Sequence, residues 1–487
     1  MLTNMNNIIE NKHLDSFYDI ENDSVGKFRW SKSKFSIDIK SNNKFLKFYA
    51  GREINGTLSF INNKKVLKKI NFPGGWNNFN IKLPETIKNQ SKIDIEIYPP
   101  LKIENEIRDL GLMFRNIEFH NNNTNYELSS KVFKNYKLNH KEYLLGETKL
   151  KSIPPYLRIT MEVKCNIANK NPCVYCSWDW AKASEKGTPI QSAKFIEYMD
   201  KYYSLSSEIT DCSYGEPPLN KEFKEIVDLC TKNEKLFRLT SNGWTLSKKI
   251  RNSILGKNVY LSVSIDSSTS EGFARYRDDG FNRIIKNLTE LCKEKKASNN
   301  LPYVSVAFIV MKSNINEIGD YIKLMKKIDV DVVTFRMMYR EDYLTKKQQT
   351  RAGYKFDYDK EYLSIEKLKE VSSKIKKLAN EIDLNVIVDW DNFNAENIVV
   401  NNNKPLCSEP WKSFYVLNRG ITPCCYGREP IAKWSEKGKN KLSKFLDKVW
   451  NGEKLSKMRF ELANGNFPKY CVNTKGCPIV KEKLGEN

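Results

Sequence analysis

The chain has 487 residues, 40% of them hydrophobic and 12% aromatic, which excludes a disordered polypeptide and leaves ample material for a buried core. Its 81 basic and 59 acidic side chains give a net charge of +22, a field that favours anionic partners. No run approaches the ~18 apolar residues of a membrane span.

The opening MLTNMNNIIENKHLDSF has neither an apolar core nor a cleavage site, so no secretory signal is expected and a cytoplasmic location follows. Cysteines in that reducing compartment are read as metal ligands, catalysts or core residues rather than disulfides. All 11 stand at or after Cys165, whereas the three histidines, His13, His120 and His140, all precede it. Chemistry in the second part therefore proceeds without imidazole.

Residues 1–148 read as an all-β, sandwich-like domain. Phe35–Ile39, Phe79–Leu83 and Ile93–Ile97 alternate apolar and polar, and Asn62-Asn63 joins two strand-like runs as a hairpin would. From 153 to 340 the rhythm changes to strand–helix repeats. Strands are expected at Leu157–Val163, up to Cys212, and at Leu236–Thr240, Val259–Ile265, Tyr303–Met311 and Asp331–Phe335. Helices intervene near Ser192–Tyr203, from Asn220, from Leu246, and at Asn282–Lys295 and Asn316–Lys327. Such repeats imply a partial (β/α)6 barrel of the α/β class, with its site at the C-terminal ends of the strands. Residues 341–404 are polar and read as a connector. Residues 405–487 turn rich in Cys, Trp, Gly and Pro and form a small third domain.

Cys165, Cys173 and Cys176 lie on one loop directly after the first barrel strand. Three thiolates so placed can hold an iron–sulfur cluster or zinc, and with three protein ligands one iron of a cluster stays open. Tyr175 precedes the last of them. Gly215-Glu216-Pro217 follows the second strand, Ser241-Asn242-Gly243 the third, and Ser264-Ile265-Asp266 the fourth, with Arg277 beyond. Asn314 and Glu317 follow the fifth.

In that order, over roughly 155–340, these residues resemble the radical S-adenosylmethionine (SAM) enzymes. The resemblance implies that Cys165, Cys173 and Cys176 hold a [4Fe–4S] cluster that binds and reductively cleaves SAM. It places Tyr175 near the adenine, Gly215, Glu216 and Pro217 at the amino group, Ser241 and Asn242 near the ribose, and Ser264, Asp266 and Arg277 around SAM, with Arg277 on its carboxylate. The cysteine spacing is C-x7-C-x2-C rather than the usual C-x3-C-x2-C, and Cys165 stands as first ligand because no other cysteine is near.

Cys407, Cys424, Cys471 and Cys477, with Trp411, the Gly420–Cys425 turn and Trp450-Asn451-Gly452…Arg459, resemble the SPASM and twitch domains. That implies one auxiliary [4Fe–4S] cluster. Cys425 could replace Cys424, and four thiolates also suit zinc. Cys230 and Cys292 read as core. Cys212 reads as core, with hydrogen-atom donation as the sharper alternative. Trp178 and Trp180 cover the cluster loop or simply pack.

The resemblance implies an oxidoreductase or epimerase that abstracts hydrogen from a carbohydrate or nucleotide-sugar substrate, anionic in keeping with the +22 charge. A flavodoxin or ferredoxin would donate electrons. A loose similarity of Arg108–Phe119 to modules of glycan enzymes favours the sugar. The alternatives are a SPASM-type peptide-modifying enzyme and a non-catalytic zinc protein associated with RNA. No RNA-binding motif or basic stripe supports the last, so nucleic acid is disfavoured.

Overall fold

The computed structural model describes residues 17–23, 26–38, 45–52, 56–62, 65–72, 75–82, 92–98, 110–120, 130–168, 172–176, 192–232, 235–298, 300–338, 348–390, 405–418, 420–426, 429–433, 442–473, 477 and 479–480. Trp178 and Trp180 lie outside them. The chain forms two compact units, 1–128 and 129–487.

The first unit is all-β, as its alternation predicts. Its strands are β1 (Phe17–Asp23), β2 (Gly26–Lys32), β3 (Lys34–Asp38), β4 (Phe45–Arg52), β5 (Gly56–Asn62), β6 (Lys65–Phe72), β7 (Gly75–Lys82), β8 (Lys92–Tyr98) and β9 (Leu110–His120). They form two antiparallel sheets, ordered β1-β2-β9-β4-β7 and β3-β8-β5-β6. In β8 the alternation is realised side by side: Ile95 and Ile97 are buried, while Asp94 and Tyr98 are exposed. Asn62 pairs with Lys65, the expected hairpin.

The boundary differs from the expected 148. Helix α1 (Ser130–Leu144) belongs to the second unit, because its buried amides are spent there. Asn135 Nδ2 donates to Ile153 O at 2.8 Å, and Asn139 Nδ2 to Trp411 O at 2.7 Å.

The second unit is built on one sheet, ordered β18-β15-β14-β13-β12-β11-β10-β19-β20. Strands β10 (Tyr156–Ile159), β11 (Glu208–Asp211), β12 (Leu236–Ser241), β13 (Val259–Ser264), β14 (Tyr303–Val310) and β15 (Val332–Met337) are the six expected, all parallel. Segment 341–404 is more than a connector. It supplies a hairpin, β16 (Gln348–Arg351) with β17 (Tyr354–Asp357), and β18 (Val386–Val388), which pairs parallel with β15. A three-residue strand is too short to show a period. On the other side β19 (Ser413–Leu417) pairs parallel with β10, and β20 (Gly420–Thr422) folds back on it.

Helices cover one face of this sheet. Leu157, Ile159, Ile209, Phe237, Leu239, Leu261, Val263, Val304, Val306, Val333 and Phe335 are buried there against helices such as α2 (Phe223–Lys232), α3 (Phe281–Lys296) and α4 (Ile318–Ile328). Each such side chain contributes about 1.5–3 kcal/mol by leaving water. The other face carries the alternate residues, most of which are polar.

Trp411, Trp450 and Arg459, singled out in the sequence, are scaffold. All three are essentially fully buried. Arg459 Nε donates to Pro410 O at 2.9 Å and Nη1 to Trp450 O at 2.9 Å, while its guanidinium lies 4.3 Å from the Trp450 ring. Burial lowers the Arg459 pKa to about 9. Trp450 Nε1 donates to Ser152 O at 2.9 Å, tying the C-terminal helices to the entry of β10.

Candidate functional site

Every motif loop leaves a barrel strand at the same end, because the strands are parallel. The loop after β10 carries Cys165, Cys173, Tyr175 and Cys176. Two backbone hydrogen bonds help hold its second half: Val174 N donates to Tyr276 O at 3.0 Å, and Cys176 N to Cys173 O at 2.9 Å.

Asp266, just beyond β13, organises one half of the site. Its Oδ1 accepts from Ile309 N at 2.8 Å and its Oδ2 from Arg277 Nε at 2.6 Å and from the Tyr175 hydroxyl. Asn314 fixes this loop by donating to Asp266 O at 3.0 Å, and Glu317 accepts from Ser268 N at 2.8 Å. The Arg277 guanidinium lies 5.4 Å from the Tyr175 ring, and its Nη1 is 3.9 Å from Cys173 Sγ. Burial works against the charge on Arg277, but Asp266 and Tyr175 hold it firmly ionised. Burial raises the Cys173 thiol, and Arg277 and Arg351 pull the other way.

Glu216 organises the other half. It is buried, and its carboxylate accepts from Ser241 Oγ at 2.5 Å, Thr245 Oγ1 at 2.6 Å and Asn242 N at 2.8 Å. Burial still raises its pKa. Asn242 Nδ2 then reaches Asn166 Oδ1 at 2.9 Å and Cys165 Sγ at 3.9 Å, joining the two halves through the cysteine loop. Gly215 lets the second loop pass against the first: a Cβ there would stand 2.5 Å from Glu162 O and 2.6 Å from Lys164 O. Pro217, buried with Pro218, opens a 3₁₀ turn, Pro217–Leu219. Ser264 pairs with Ala307 in the ladder.

A cavity of about 520 Å³ adjoins the cysteine loop, lined in part by Asn166, Ile167, Trp244, Arg277, Asp278 and Arg351. Trp244 and Arg351 escaped the sequence reading. Trp244 had a local cue, since it follows the Ser-Asn-Gly turn directly; Gly280 leaves it room, as a Cβ there would stand 2.2 Å from the indole. Arg351 had none. It comes from the β16–β17 hairpin and donates to Pro172 O.

The second set also gathers. Cys424 is near enough to Cys425, Cys471 and Cys407 for each to raise it, Cys471 raises Cys407, and Cys477 acts on Cys407, Cys425 and Cys471. Burial is the first cause in each case, pushing Cys407 and Cys471 up to about 12 and Cys425 to about 11. Cys230 and Cys292 are buried core residues, as expected. None of the cysteines is in a disulfide.

Among the described residues, no three His, Cys, Asp or Glu side chains converge closely enough to hold a metal ion. The donor set nonetheless fits an iron–sulfur cluster. Cys165, Cys173 and Cys176 are thiols on one loop with no histidine nearby, and Cys165 and Cys173 lie within electrostatic reach of each other.

Residues 163–339 match the family model of the radical SAM superfamily. Comparison with curated proteins gives no match. Among solved structures, Streptococcus suis SuiB bound to S-adenosylmethionine is similar at 14% identity and TM-score 0.48, covering 75% of this chain and 80% of that one. The same protein bound to its precursor peptide SuiA gives 14% identity and TM-score 0.48, covering 75% and 81%. anSMEcpe with AdoMet and a Cp18Cys peptide gives 14% identity and TM-score 0.45, covering 68% and 96%. No helix in the described residues is long and apolar enough to cross a membrane.

Proposed function

Since residues 163–339 are a radical SAM domain, whose family uses a [4Fe–4S] cluster and S-adenosylmethionine, we propose that the chain is an enzyme that cleaves SAM reductively and abstracts hydrogen from a substrate carbon. The observation that supports this most is the convergence of the motif loops on the cysteine loop: Tyr175, Asp266 and Arg277 on one side, Glu216, Ser241 and Asn242 on the other.

Cys165, Cys173 and Cys176 would hold the cluster. When bound, cluster and SAM supply an electron and a 5′-deoxyadenosyl radical. The chain's own residues bind and orient. Arg277, held charged and pointed by Asp266, offers its remaining N–H groups to the SAM carboxylate. Buried Glu216 fixes the Ser241–Asn242 turn and offers a negative charge to the amino group. Tyr175 packs its ring at the cluster loop, beside the place the adenine would take.

The thiols of Cys407, Cys424, Cys471 and Cys477 would hold an auxiliary cluster of the SPASM/twitch type, with Cys425 the alternative to Cys424. Its role would be to accept an electron from the substrate radical or to anchor the substrate. The substrate we favour is a carbohydrate or nucleotide sugar; a peptide is the second reading, as SPASM-type relatives modify peptides.

With dithionite the reconstituted protein should release 5′-deoxyadenosine and methionine from SAM. Candidate sugar nucleotides deuterated at ring carbons should pass deuterium into 5′-deoxyadenosine. Transfer from a co-encoded peptide alone would overturn the sugar reading, and absence of SAM cleavage would overturn the whole.

A further inference from the structure

The barrel face turned away from the helices carries an unexpected row of charge. Leu157, Phe237 and Leu261 face the helices, so Arg158, Arg238 and Tyr260 face the other way. The ladder aligns them: Tyr415 pairs with Arg158, Arg158 with Thr210, Thr210 with Arg238, Arg238 with Tyr260 and Tyr260 with Tyr303.

Within this row Glu208 bridges two guanidinium groups. Its Oε1 is 2.6 Å from Arg158 Nη1 and its Oε2 is 2.7 Å from Arg238 Nε. Burial opposes the charge on Glu208, yet Arg238 and Arg158 hold its pKa below the ordinary value. Two cations on one anion leave one positive charge. Arg238 commits only Nε to that bridge, and its side chain is 36% exposed.

The row is open at Arg238 and beyond it toward the loops. Thr240, one step toward the cysteine loops, is exposed although its neighbours Leu239 and Ser241 are buried in a central strand. Two hydroxyls at the same level, Thr160 Oγ1 and Ser262 Oγ, are buried without a hydrogen-bond partner. Arg336 is exposed on this face farther toward the loops. An interior of this kind is costly unless a ligand completes it.

We infer that Arg238 and Arg158, bridged by Glu208, form an oxyanion-binding shelf that receives a phosphoryl or carboxylate group of the substrate inside the barrel. This rests on the reading above that the chain abstracts hydrogen from a substrate carbon at the cysteine-loop end of the barrel, so that the rest of the substrate would extend over this face. A guanidinium fork suits either oxyanion through paired N–H donors. Glu208 acts as an internal competitor that the incoming anion partly displaces.

The test is calorimetric titration of anaerobically reconstituted protein with inorganic phosphate and, separately, with acetate, at ionic strength matched with chloride. Saturable binding of phosphate points to a phosphoryl group, and of acetate to a carboxylate; either supports the shelf. Arg238→Gln should raise Kd about tenfold or more, and Arg238→Lys should fall between, keeping charge but losing the fork. Glu208→Gln should tighten binding several-fold, which a merely structural role for the bridge would not do. Failure of both anions to saturate, or an unchanged Kd in Arg238→Gln, would overturn the inference. The titration needs no SAM, so its failure is distinguishable from a failure to cleave SAM.

Discussion

Two groups of thiols in the same unit, both raised by burial, differ in the charges beside them. At Cys173, burial raises the thiol and Cys165 and Asp266 push the same way, while Arg277 and Arg351 draw it toward the thiolate. At Cys407, burial raises the thiol to about 12, and Glu409, Cys477 and Cys471 push the same way. Cys425 has Glu409 as its foremost charged neighbour, and that also pushes upward. The first group carries its own cations, drawn from Arg277 beyond β13 and from the β16–β17 hairpin. The second has Glu409 and its own thiols as foremost charged neighbours, so a bound metal's charge would favour thiolates there as well as at the first group.

The strongest way to break this comparison is to remove each group in turn. The seven proposed ligand thiols imply about eight irons per chain after anaerobic reconstitution. Replacing Cys165, Cys173 and Cys176 with Ala should leave about four and abolish 5′-deoxyadenosine release. Full iron content in that variant would refute the ligand assignment. Replacing Cys407, Cys424, Cys471 and Cys477 should leave the complementary half.

Removing the first group's cation comes next. Arg277→Gln leaves the buried Asp266 carboxylate without its cation, so denaturant unfolding should show a loss of about 3–5 kcal/mol. SAM affinity should fall with it, by the ~1.5–3 kcal/mol of a charge-assisted contact. Unchanged SAM affinity would count against Arg277 as the carboxylate partner.

A smaller effect probes the packing that brings the loops together. In Gly215→Ala the new methyl meets backbone carbonyls at 2.5 and 2.6 Å, which cannot yield as a flexible side chain would. Overpacking of this kind costs about 1–3 kcal/mol. The same change at Gly353, with nothing within 4 Å, adds no clash and leaves only its positive φ of +75° to strain. Thermal melts should rank the two in that order.

The pH dependence sharpens the picture beneath the first group. Burial raises Asp211 from 3.8 to about 7. Its folded pKa exceeds the unfolded one, so its contribution is fully present below 3.8 and is lost as pH rises toward 7. Stability should fall across that window by at most about 1.4 kcal/mol per pH unit. In Asp211→Asn the slope should flatten; an identical slope would show that another group titrates. Smallest of all, Cys425→Ala should leave iron content unchanged if Cys424 is the ligand, and a loss of about four irons would reverse the two.

How much of this was legible in the sequence depends on how local each cause is. The β-rich first unit, the six strand–helix repeats and the three-cysteine loop follow from short-range patterns: alternation, apolar runs, and turn residues at fixed spacing. The gathering of Tyr175, Glu216, Ser241, Asn242, Asp266 and Arg277 at one end was legible through their order after successive parallel strands. What the sequence could not show was long-range pairing. That α1 joins the second unit, that Val386–Val388 extends the barrel sheet, and that Arg351 reaches Pro172 from a hairpin far along the chain are decided by packing between segments distant in sequence. The row Tyr415–Arg158–Thr210–Arg238–Tyr260 is of the same kind: its members come from five strands far apart in sequence, and only the register of the parallel ladder makes them neighbours.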